Sequence, residues 1–241
     1  MTTERSSKRM RIDRFMGLQL GINRRDVKLI LAQKRITIDG VLAHDTQQVI
    51  DEFSHVAFDG QVLQANTPRY IMMNKPTGVV SATKDEQHQT VIDLLGSDED
   101  LGLHIVGRLD LNSSGLLLLT NDSRWSRRLM APEKEIAKIY KVTLENPLTD
   151  DYVPAFANGM YFEYEDITTR PAKLKIISEY VAEVSLVEGR YHQIKRMFGR
   201  FRNPVLALHR VSIGGLLLDP SLPPGASRPL RGDEVSNIFS D

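Results

Sequence analysis

The chain has 241 residues, of which 41% are hydrophobic, and its 31 basic and 31 acidic residues cancel to a net charge of zero. This composition is typical of a globular protein and excludes a chain that stays unfolded, while the absence of cysteine excludes disulfides and thiolate metal sites. The polar, basic start of the chain is unlike a secretory signal, and apolar runs such as residues 116–119 are too short to span a bilayer. We therefore expect a cytoplasmic protein without a membrane partner.

The neutral total conceals two basic zones. Residues 1–40 contain ten Lys or Arg against four acidic residues, and residues 190–210 contain six Lys or Arg and no acidic residue. Two such zones in a neutral protein predict a surface that holds a polyanion.

The N-terminal part of the chain predicts a small module of two helices and short strands. Ile12, Phe15 and Met16 recur at helical spacing, Gly21 ends that helix, and Asn23 is a suitable N-cap for a second helix. Residues 36–38 and 56–58 read as strands, each running into an Asp-Gly turn. The basic residues expected together on one face of the second helix, as an RNA-binding surface, are Arg24, Arg25, Lys28 and Arg35.

The pattern changes after a polar linker at residues 64–68. We expect residues 1–9 to form a disordered basic tail, residues 10–65 the small module, and residues 69–241 a larger domain. In the larger domain, strands are predicted at residues 69–73, 115–120, 140–144, 173–177 and 182–187, and helices near 91–95, 123–130, 150–158 and 192–200. Most connections are too short for repeated βαβ crossovers, so the fold class predicted is α+β with an antiparallel or mixed sheet.

The predicted helix after His192 combines an apolar stripe with cations. Ile194, Met197, Phe198 and Phe201 follow the spacing of a buried face. Lys195, Arg196 and Arg200 fall outside that stripe, which is the arrangement that contact with a phosphate backbone requires.

The segment Gly107-Arg108-Leu109-Asp110 carries the clearest chemical signal. It lies just before the apolar run 116–119, which predicts a fully buried strand. An aspartate at the rim of such a strand can sit in a low dielectric, where its charge is useful to chemistry and costly unless matched. Arg190 offers a cation that can match Asp110, and together these segments indicate a reaction on a nucleic-acid base.

Several other chemistries are excluded by their missing motifs. The chain has no phosphate-binding Gly-x-x-x-x-Gly-Lys loop, no dinucleotide Gly-x-Gly-x-x-Gly and no Gly-x-Ser-x-Gly nucleophile elbow. Its six histidines lack metal-ligand spacing. We therefore expect a cofactor-free mechanism that depends on Asp110.

Ordered blocks along the chain support a family resemblance. They are Met73-Asn74-Lys75-Pro76-Thr77-Gly78, residues 107–110 with 115–122, Lys138-Ile139-Tyr140-Lys141-Val142, residues 188–198, and Leu208-His209-Arg210 with Ile213-Gly214-Gly215. The chain resembles the pseudouridine synthases, specifically the branch that modifies bacterial small-subunit (16S) ribosomal RNA. Its first 65 residues likewise resemble the small RNA-binding domain shared with a ribosomal small-subunit protein and some tRNA synthetases.

The resemblance implies the pseudouridine synthase fold and isomerisation of a uridine to pseudouridine. It implies that Asp110 is the catalytic carboxylate, acting either as the nucleophile at the sugar or as the base toward its 2′ hydrogen. The base must leave the stack to be reached, and Arg108 matches the arginine that fills the vacated space. Tyr140 matches a tyrosine that stacks on uracil, and Arg190 matches the basic residue that pairs with the catalytic carboxylate. The remaining expected phosphate contacts are Lys195, Arg196 and Arg210, and the family frequently has glycine where this chain has Ser123 and Arg202.

Two alternatives remain open at this stage. One is the same chemistry on large-subunit (23S) ribosomal RNA, because members of the branch differ mainly outside the catalytic blocks. The other is a non-catalytic RNA-binding or ribosome assembly factor, which the retention of Asp110, Tyr140 and Arg190 argues against. In each case the expected partner is ribosomal RNA, naked or in a partly assembled small subunit, and we expect a monomer.

Overall fold

The computed structural model describes residues 9–98 and 102–240, and these described residues divide into two compact units, the first ending at Pro68 and the second beginning at Arg69. The predicted basic tail, apart from Arg9, lies outside the described residues. None of the helices in the described ranges has the length and hydropathy that a membrane span needs.

The first unit contains two helices and six short strands in its described part. The helices are α1 (Ile12–Leu20) and α2 (Arg24–Ala32), and the strands are β1 (Met10–Arg11), β2 (Ile36–Ile38), β3 (Val41–Leu42), β4 (Val49–Ile50), β5 (Val56–Phe58) and β6 (Gln61–Gln64). Strands β3-β2-β5-β6 form an antiparallel sheet, and β1 pairs with β4. Ile12, Met16, Val27, Ile36 and Val56 are fully buried at the centre of this unit.

Local signals in the sequence account for most of these boundaries. Gly21 ends α1 in the left-handed conformation at φ 66°, and the Asn23 side chain accepts hydrogen bonds from the backbone at Arg25 and Asp26 to cap α2. Both Asp-Gly pairs, residues 39–40 and 59–60, have positive φ, as the tight turn of a two-residue hairpin requires. The helix-end and turn predictions are therefore confirmed.

The second unit is built on one large sheet. Its strands are β7 (Tyr70–Lys75), β8 (His104–Val106), β9 (Ser113–Thr120), β10 (Lys138–Leu144), β11 (Tyr161–Phe162), β12 (Ile167–Thr168), β13 (Lys173–Ser178), β14 (Val181–Leu186), β15 (Val205–Ile213), β16 (Leu216–Leu217) and β17 (Ser227–Pro229). Its α-helices are α3 (Ser123–Met130), α4 (Tyr152–Ala157), α5 (Gln193–Gly199) and α6 (Gly232–Asn237), with 3₁₀ turns at Asp93–Asp98 and Pro132–Lys134.

The sheet is mixed and mostly antiparallel, as predicted. Its order is β13-β14-β10-β15-β9-β7-β17, with β16 beside β15 and β8 beside β9, and in this sheet β9 and β15 pair in parallel. Strand β9 lies between two apolar layers because successive side chains of a strand point to opposite faces. Leu117 and Leu119 join one layer, Leu116 and Leu118 join the other, and all four are fully buried. The predicted fully buried strand is confirmed.

The structure differs from the prediction at β15 and at residues 91–95, among other elements, and it also gives the conformation of Arg202. Strand β15 was not predicted, although its pairing with β9 brings Arg210 opposite Gly115. The helix predicted at residues 91–95 is a pair of 3₁₀ turns that starts at Asp93. Arg202, where the family frequently has glycine, adopts the left-handed conformation at φ 53°, which explains why glycine suits that position.

Candidate active site

Asp110 lies in the loop between β8 and β9, and buried polar groups fix the loop on both sides of it. The Ser81 hydroxyl donates to the carbonyl oxygen of Leu109 at 2.7 Å and accepts from the Leu109 backbone N–H at 3.1 Å. The backbone N–H of Ser113 donates to the Asp110 carbonyl at 3.0 Å. Because Leu109 is buried, the neighbouring Asp110 is held at the surface of the core.

Lys75, at the end of β7, holds the other side of this loop. Its buried Nζ lies 2.9 Å from the carbonyl oxygen of Pro76, 3.1 Å from that of Asp110 and 2.8 Å from that of Ser113. Burial lowers the pKa of Lys75 to about 8, although the nearby Asp110 charge opposes that shift. The ammonium is thus a bridge between two sheet strands and the loop that carries Asp110.

The Asp110 carboxylate lies close to two basic side chains, Lys195 on α5 and His192, which precedes that helix. Its Oδ2 lies 3.4 Å from His192 Nε2 and 3.6 Å from Lys195 Nζ, and its side chain is 36% exposed. His192 has φ 49° and stacks on the ring of Tyr191 with 3.9 Å between centroids. These contacts place Asp110 in an open cleft of about 100 Å³, lined also by Arg108, Ser113, Tyr140, Leu186, Gly189, Arg190, Gln193 and Leu208.

The expected ion pair between Arg190 and Asp110 is wrong. Arg190 lines the cleft, but its Nε pairs with Glu188 at 3.1 Å. Glu188 is itself fixed by Gln193 Nε2 at 2.6 Å and by the backbone N–H of Arg170 at 2.8 Å. Arg190 is drawn to this anchored carboxylate two residues away, and Lys195, one position past the buried Ile194, reaches Asp110 instead.

Arg210 was expected to contact phosphate, and this expectation is wrong because the side chain is 1% exposed. Its Nε donates to the carbonyl oxygen of Leu116 at 2.8 Å and its Nη2 to that of Gly107 at 2.6 Å. Its Nη1 lies 3.5 Å from the hydroxyl of Tyr140, which is itself buried on β10. Arg210 therefore links the start of the loop that carries Asp110 to β9 and contacts the hydroxyl of Tyr140.

The other cations of the second basic zone also differ from a simple phosphate-binding face. Lys195 contacts Asp110, as described above, rather than standing free on the helix surface. Arg196 pairs with Glu165 through both Nη atoms at 2.5 Å and lies 3.7 Å over the ring of Phe162. Outside this zone, Arg108, which was also expected to contact RNA, is exposed at the mouth of the cleft.

The predicted cations of the first unit do not share one helix face. Arg24, Arg25 and Lys28 are exposed on α2, where Arg24 pairs with Asp13 at 2.9 Å. Arg35 lies beyond the end of α2, pairs with Asp59 and covers the ring of Phe58, so its placement on the helix was wrong. The helix ends at Ala32 because the next residues turn into β2.

Sequence reasoning missed three residues that shape this site. Lys75, Ser81 and His192 were not singled out, although Lys75 and His192 lie within the blocks quoted for the family resemblance. The available signal for Lys75 was a lysine at the end of a strand rich in apolar residues, where a charge needs a specific partner. Ser81 carries no such signal.

Comparison with known proteins identifies the family of the chain. Residues 69–199 match the family model for RNA pseudouridylate synthase, which is more than half of the chain. The chain belongs to the pseudouridine synthase family. All the described contacts of Asp110 fall within that matched segment, so the cleft around Asp110 is the candidate active site of a pseudouridine synthase.

Full-length relatives extend the match to the first unit. The chain is 48% identical over 230 residues to ribosomal small subunit pseudouridine synthase A of Pseudomonas aeruginosa, covering 95% of this chain and 100% of that protein. The protein of the same name from Escherichia coli strain K12 is 40% identical over 230 residues with the same coverage. A solved crystal structure of a pseudouridylate synthase matches this pseudouridine synthase with a TM-score of 0.69 and 35% identity, covering 95% of this chain and 99% of that one.

Proposed function

We propose that the protein converts a uridine of small-subunit ribosomal RNA to pseudouridine, with Asp110 as the catalytic carboxylate. The observation that carries this proposal is the position of Asp110, which is fixed through its backbone, paired with Lys195 and His192, and open to a cleft that Tyr140 lines. Relatives that match along 95% of the chain and are named for the small subunit support the choice of RNA.

The reaction is an isomerisation, so no group has to be supplied from outside. The bond between uracil N1 and ribose C1′ breaks, the base rotates, a bond forms between C5 and C1′, and the proton lost from C5 is balanced by one gained at N1. Cleavage builds positive charge on the sugar, which an adjacent carboxylate stabilises. Asp110 serves either as the nucleophile at C1′ or as the base toward the 2′ hydrogen, and both routes need its anionic form.

The surroundings of Asp110 fit this task. Lys195 and His192 hold the carboxylate in place and the Lys195 ammonium offsets its charge, while a third of the Asp110 side chain remains exposed. Tyr140 lines the cleft, where its ring can stack on the flipped uracil, and Arg210 contacts the tyrosine hydroxyl at 3.5 Å. Arg108, exposed at the mouth, is placed to occupy the space that the flipped base leaves.

The first unit is proposed to select the RNA site. Arg25 and Lys28 are exposed on α2, and neither has an ion-pair partner among the described residues. Such cations suit phosphate contacts. We expect the enzyme to act as a monomer in the cytoplasm, on ribosomal RNA that is naked or within a partly assembled small subunit, and without a cofactor.

The test is a map of pseudouridines in ribosomal RNA from cells that lack this protein. We expect one small-subunit position to lose its pseudouridine and to regain it when the wild-type gene is returned, but not when Asp110→Asn is returned. Loss at a large-subunit position instead would move the activity to that RNA. An unchanged map would leave the non-catalytic assembly factor as the better interpretation.

A further inference from the structure

A second groove opens beside the catalytic cleft and shares Gly189 and Arg190 with it. Its volume is about 310 Å³, compared with about 100 Å³ for the cleft itself. Most of its lining is apolar, supplied by Leu129, Met130, Ala131, Pro132, Ile136 and Val187. The groove therefore borders the catalytic cleft and is larger than it.

One cation in this groove has no counter-charge. Lys138 Nζ donates to the carbonyl oxygen of Ile136 at 3.2 Å, and no carboxylate among the described residues forms an ion pair with it. Burial, together with the neighbouring Arg210, lowers the pKa of Lys138. An ammonium group has three donors, so a half-buried one with a single carbonyl partner favours an anionic ligand.

The other cations of the groove are already neutralised. Arg170 pairs with Glu135 at 2.7 Å, and Arg190 pairs with Glu188 at 3.1 Å. A ligand that brings one negative charge would therefore be attracted mainly to Lys138. The apolar wall beside that ammonium suits a flat ring or a sugar rather than a second charge.

Lys138 lies on the same strand as Tyr140, the residue expected to contact the target base. Lys138 and Tyr140 are two residues apart on β10, so their side chains project from the same face, about 7 Å apart along the strand. Tyr140 lines the catalytic cleft, and Lys138 lines the groove. An RNA strand that passes over this face would therefore place one nucleotide at Tyr140 and a neighbouring nucleotide at Lys138.

We propose that this groove binds the nucleotide next to the target uridine, with its phosphate on Lys138 and its base or ribose against the apolar wall. The inference rests on the proposed function, because it needs a uridine held at Asp110. It adds a residue that determines which RNA context is accepted, through a neighbour of the reacting nucleotide.

The experiment compares Lys138→Met with Lys141→Met. Methionine keeps an unbranched stem in the groove, and Lys141 is an exposed lysine on the opposite face of the same strand. The substrate is a short fragment of small-subunit ribosomal RNA that contains the mapped uridine. We expect K138M to raise KM about tenfold with kcat within about twofold of wild type, since one charge-assisted hydrogen bond is lost. K141M should change neither constant by more than about twofold.

Replacing single phosphates of the RNA by neutral methylphosphonates tests which phosphate contacts Lys138. Fragments that carry a single methylphosphonate at each position within two nucleotides of the target are assayed with wild type and K138M. We expect one position at which the substitution raises the wild-type KM about tenfold and leaves that of K138M unchanged, because the two changes remove the same contact. Equal effects on both proteins at every position would overturn the inference.

Thermal unfolding separates ligand binding from a structural role. Removing a half-buried ammonium without a carboxylate partner should leave Tm unchanged or raise it, whereas removing a structural contact would lower it. Lys138→Gln provides a second variant if the methionine variant folds poorly. The inference would also be overturned if the Lys138 variants had the same KM as K141M. It would be overturned as well if their Tm were lowered enough to account for the lost activity. Where the wild-type enzyme forms no pseudouridine in the naked fragment, the same comparison is made on a partly assembled small subunit, and absence of product on both substrates would instead refute the proposed function.

Discussion

At the scale of single residues, the cations around Asp110 have separate tasks. Lys195 and His192 contact the carboxylate of Asp110, whereas Lys75 contacts Asp110 through its backbone carbonyl and not through its carboxylate. Arg190 is held by Glu188. Replacing each of these basic residues with a neutral one should therefore have a different effect on activity.

Lys195→Gln should lower kcat by roughly 30-fold, because losing a charged partner of a carboxylate costs about 2 kcal/mol. Arg190→Gln is the matched comparison, and we expect a much smaller effect on kcat from it since Arg190 does not contact Asp110. Single-turnover rates on a saturating RNA fragment measure both. A larger loss in R190Q than in K195Q would restore the original expectation that Arg190 is the partner.

These contacts show why sequence reasoning located Asp110 beside a buried strand but named the wrong partner for its carboxylate. Arg190 and Lys195 lie five residues apart, and both are cations near the start of α5. Which one reaches Asp110 depends on the left-handed turn at His192 and on the anchoring of Glu188 by Gln193. Neither contact leaves a periodic pattern in the sequence, whereas Asp110 itself was marked by the buried strand that follows it.

At the scale of elements, the loop that carries Asp110 depends on Lys75. In the unfolded chain this lysine has its ordinary pKa of 10.5, and in the folded protein burial lowers the pKa to about 8. Between these values the unfolded state binds more protons than the folded state, so the contribution of Lys75 to stability rises with pH from about 8 to about 10.5.

The free energy of unfolding of wild type, relative to Lys75→Met, should therefore increase between pH 8 and pH 10. Urea denaturation of both proteins at several pH values in this interval measures it, and the difference between them removes the titration that they share. Parallel pH curves for the two proteins would show that the pKa of Lys75 is not lowered by folding.

The parallel contact between β9 and β15 makes a second prediction at this scale. Gly115 has φ 103°, and a Cβ there would lie 2.3 Å from the carbonyl oxygen of Arg210. Gly115→Ala should destabilise the protein by about 3 kcal/mol through overpacking and strain. Gly199→Ala is the control, because its Cβ would meet no atom within 4 Å and alanine favours the helix. Equal melting temperatures for the two variants would contradict this prediction.

Strand β15 also marks the limit of sequence reasoning about the fold. The caps, the Asp-Gly turns and the buried leucines of β9 were predictable because each carries a local signal. Strand β15 contains His209 and the buried Arg210, charged or polar residues that interrupt an apolar pattern. Its place in the sheet depends on carbonyl oxygens of distant segments that satisfy the guanidinium, and these are not visible in the sequence.

At the scale of the whole molecule, the two units have separate apolar cores. Deleting residues 1–68 should leave residues 69–241 folded and able to act on a short RNA fragment. Selectivity for the target uridine in full-length small-subunit RNA should fall at least tenfold, because the exposed cations of α2 are removed. Pseudouridine mapping on both substrates tests this, and unchanged selectivity would rule out the proposed targeting role of the first unit.

The most direct test of the central claim is a single-turnover assay of wild type and Asp110→Asn on small-subunit ribosomal RNA, with pseudouridine as the readout and RNA affinity measured in parallel. The account predicts that wild type converts one uridine, while D110N forms no detectable product and binds the RNA within a few fold of wild type. Product formation by D110N at a rate close to that of wild type would contradict it.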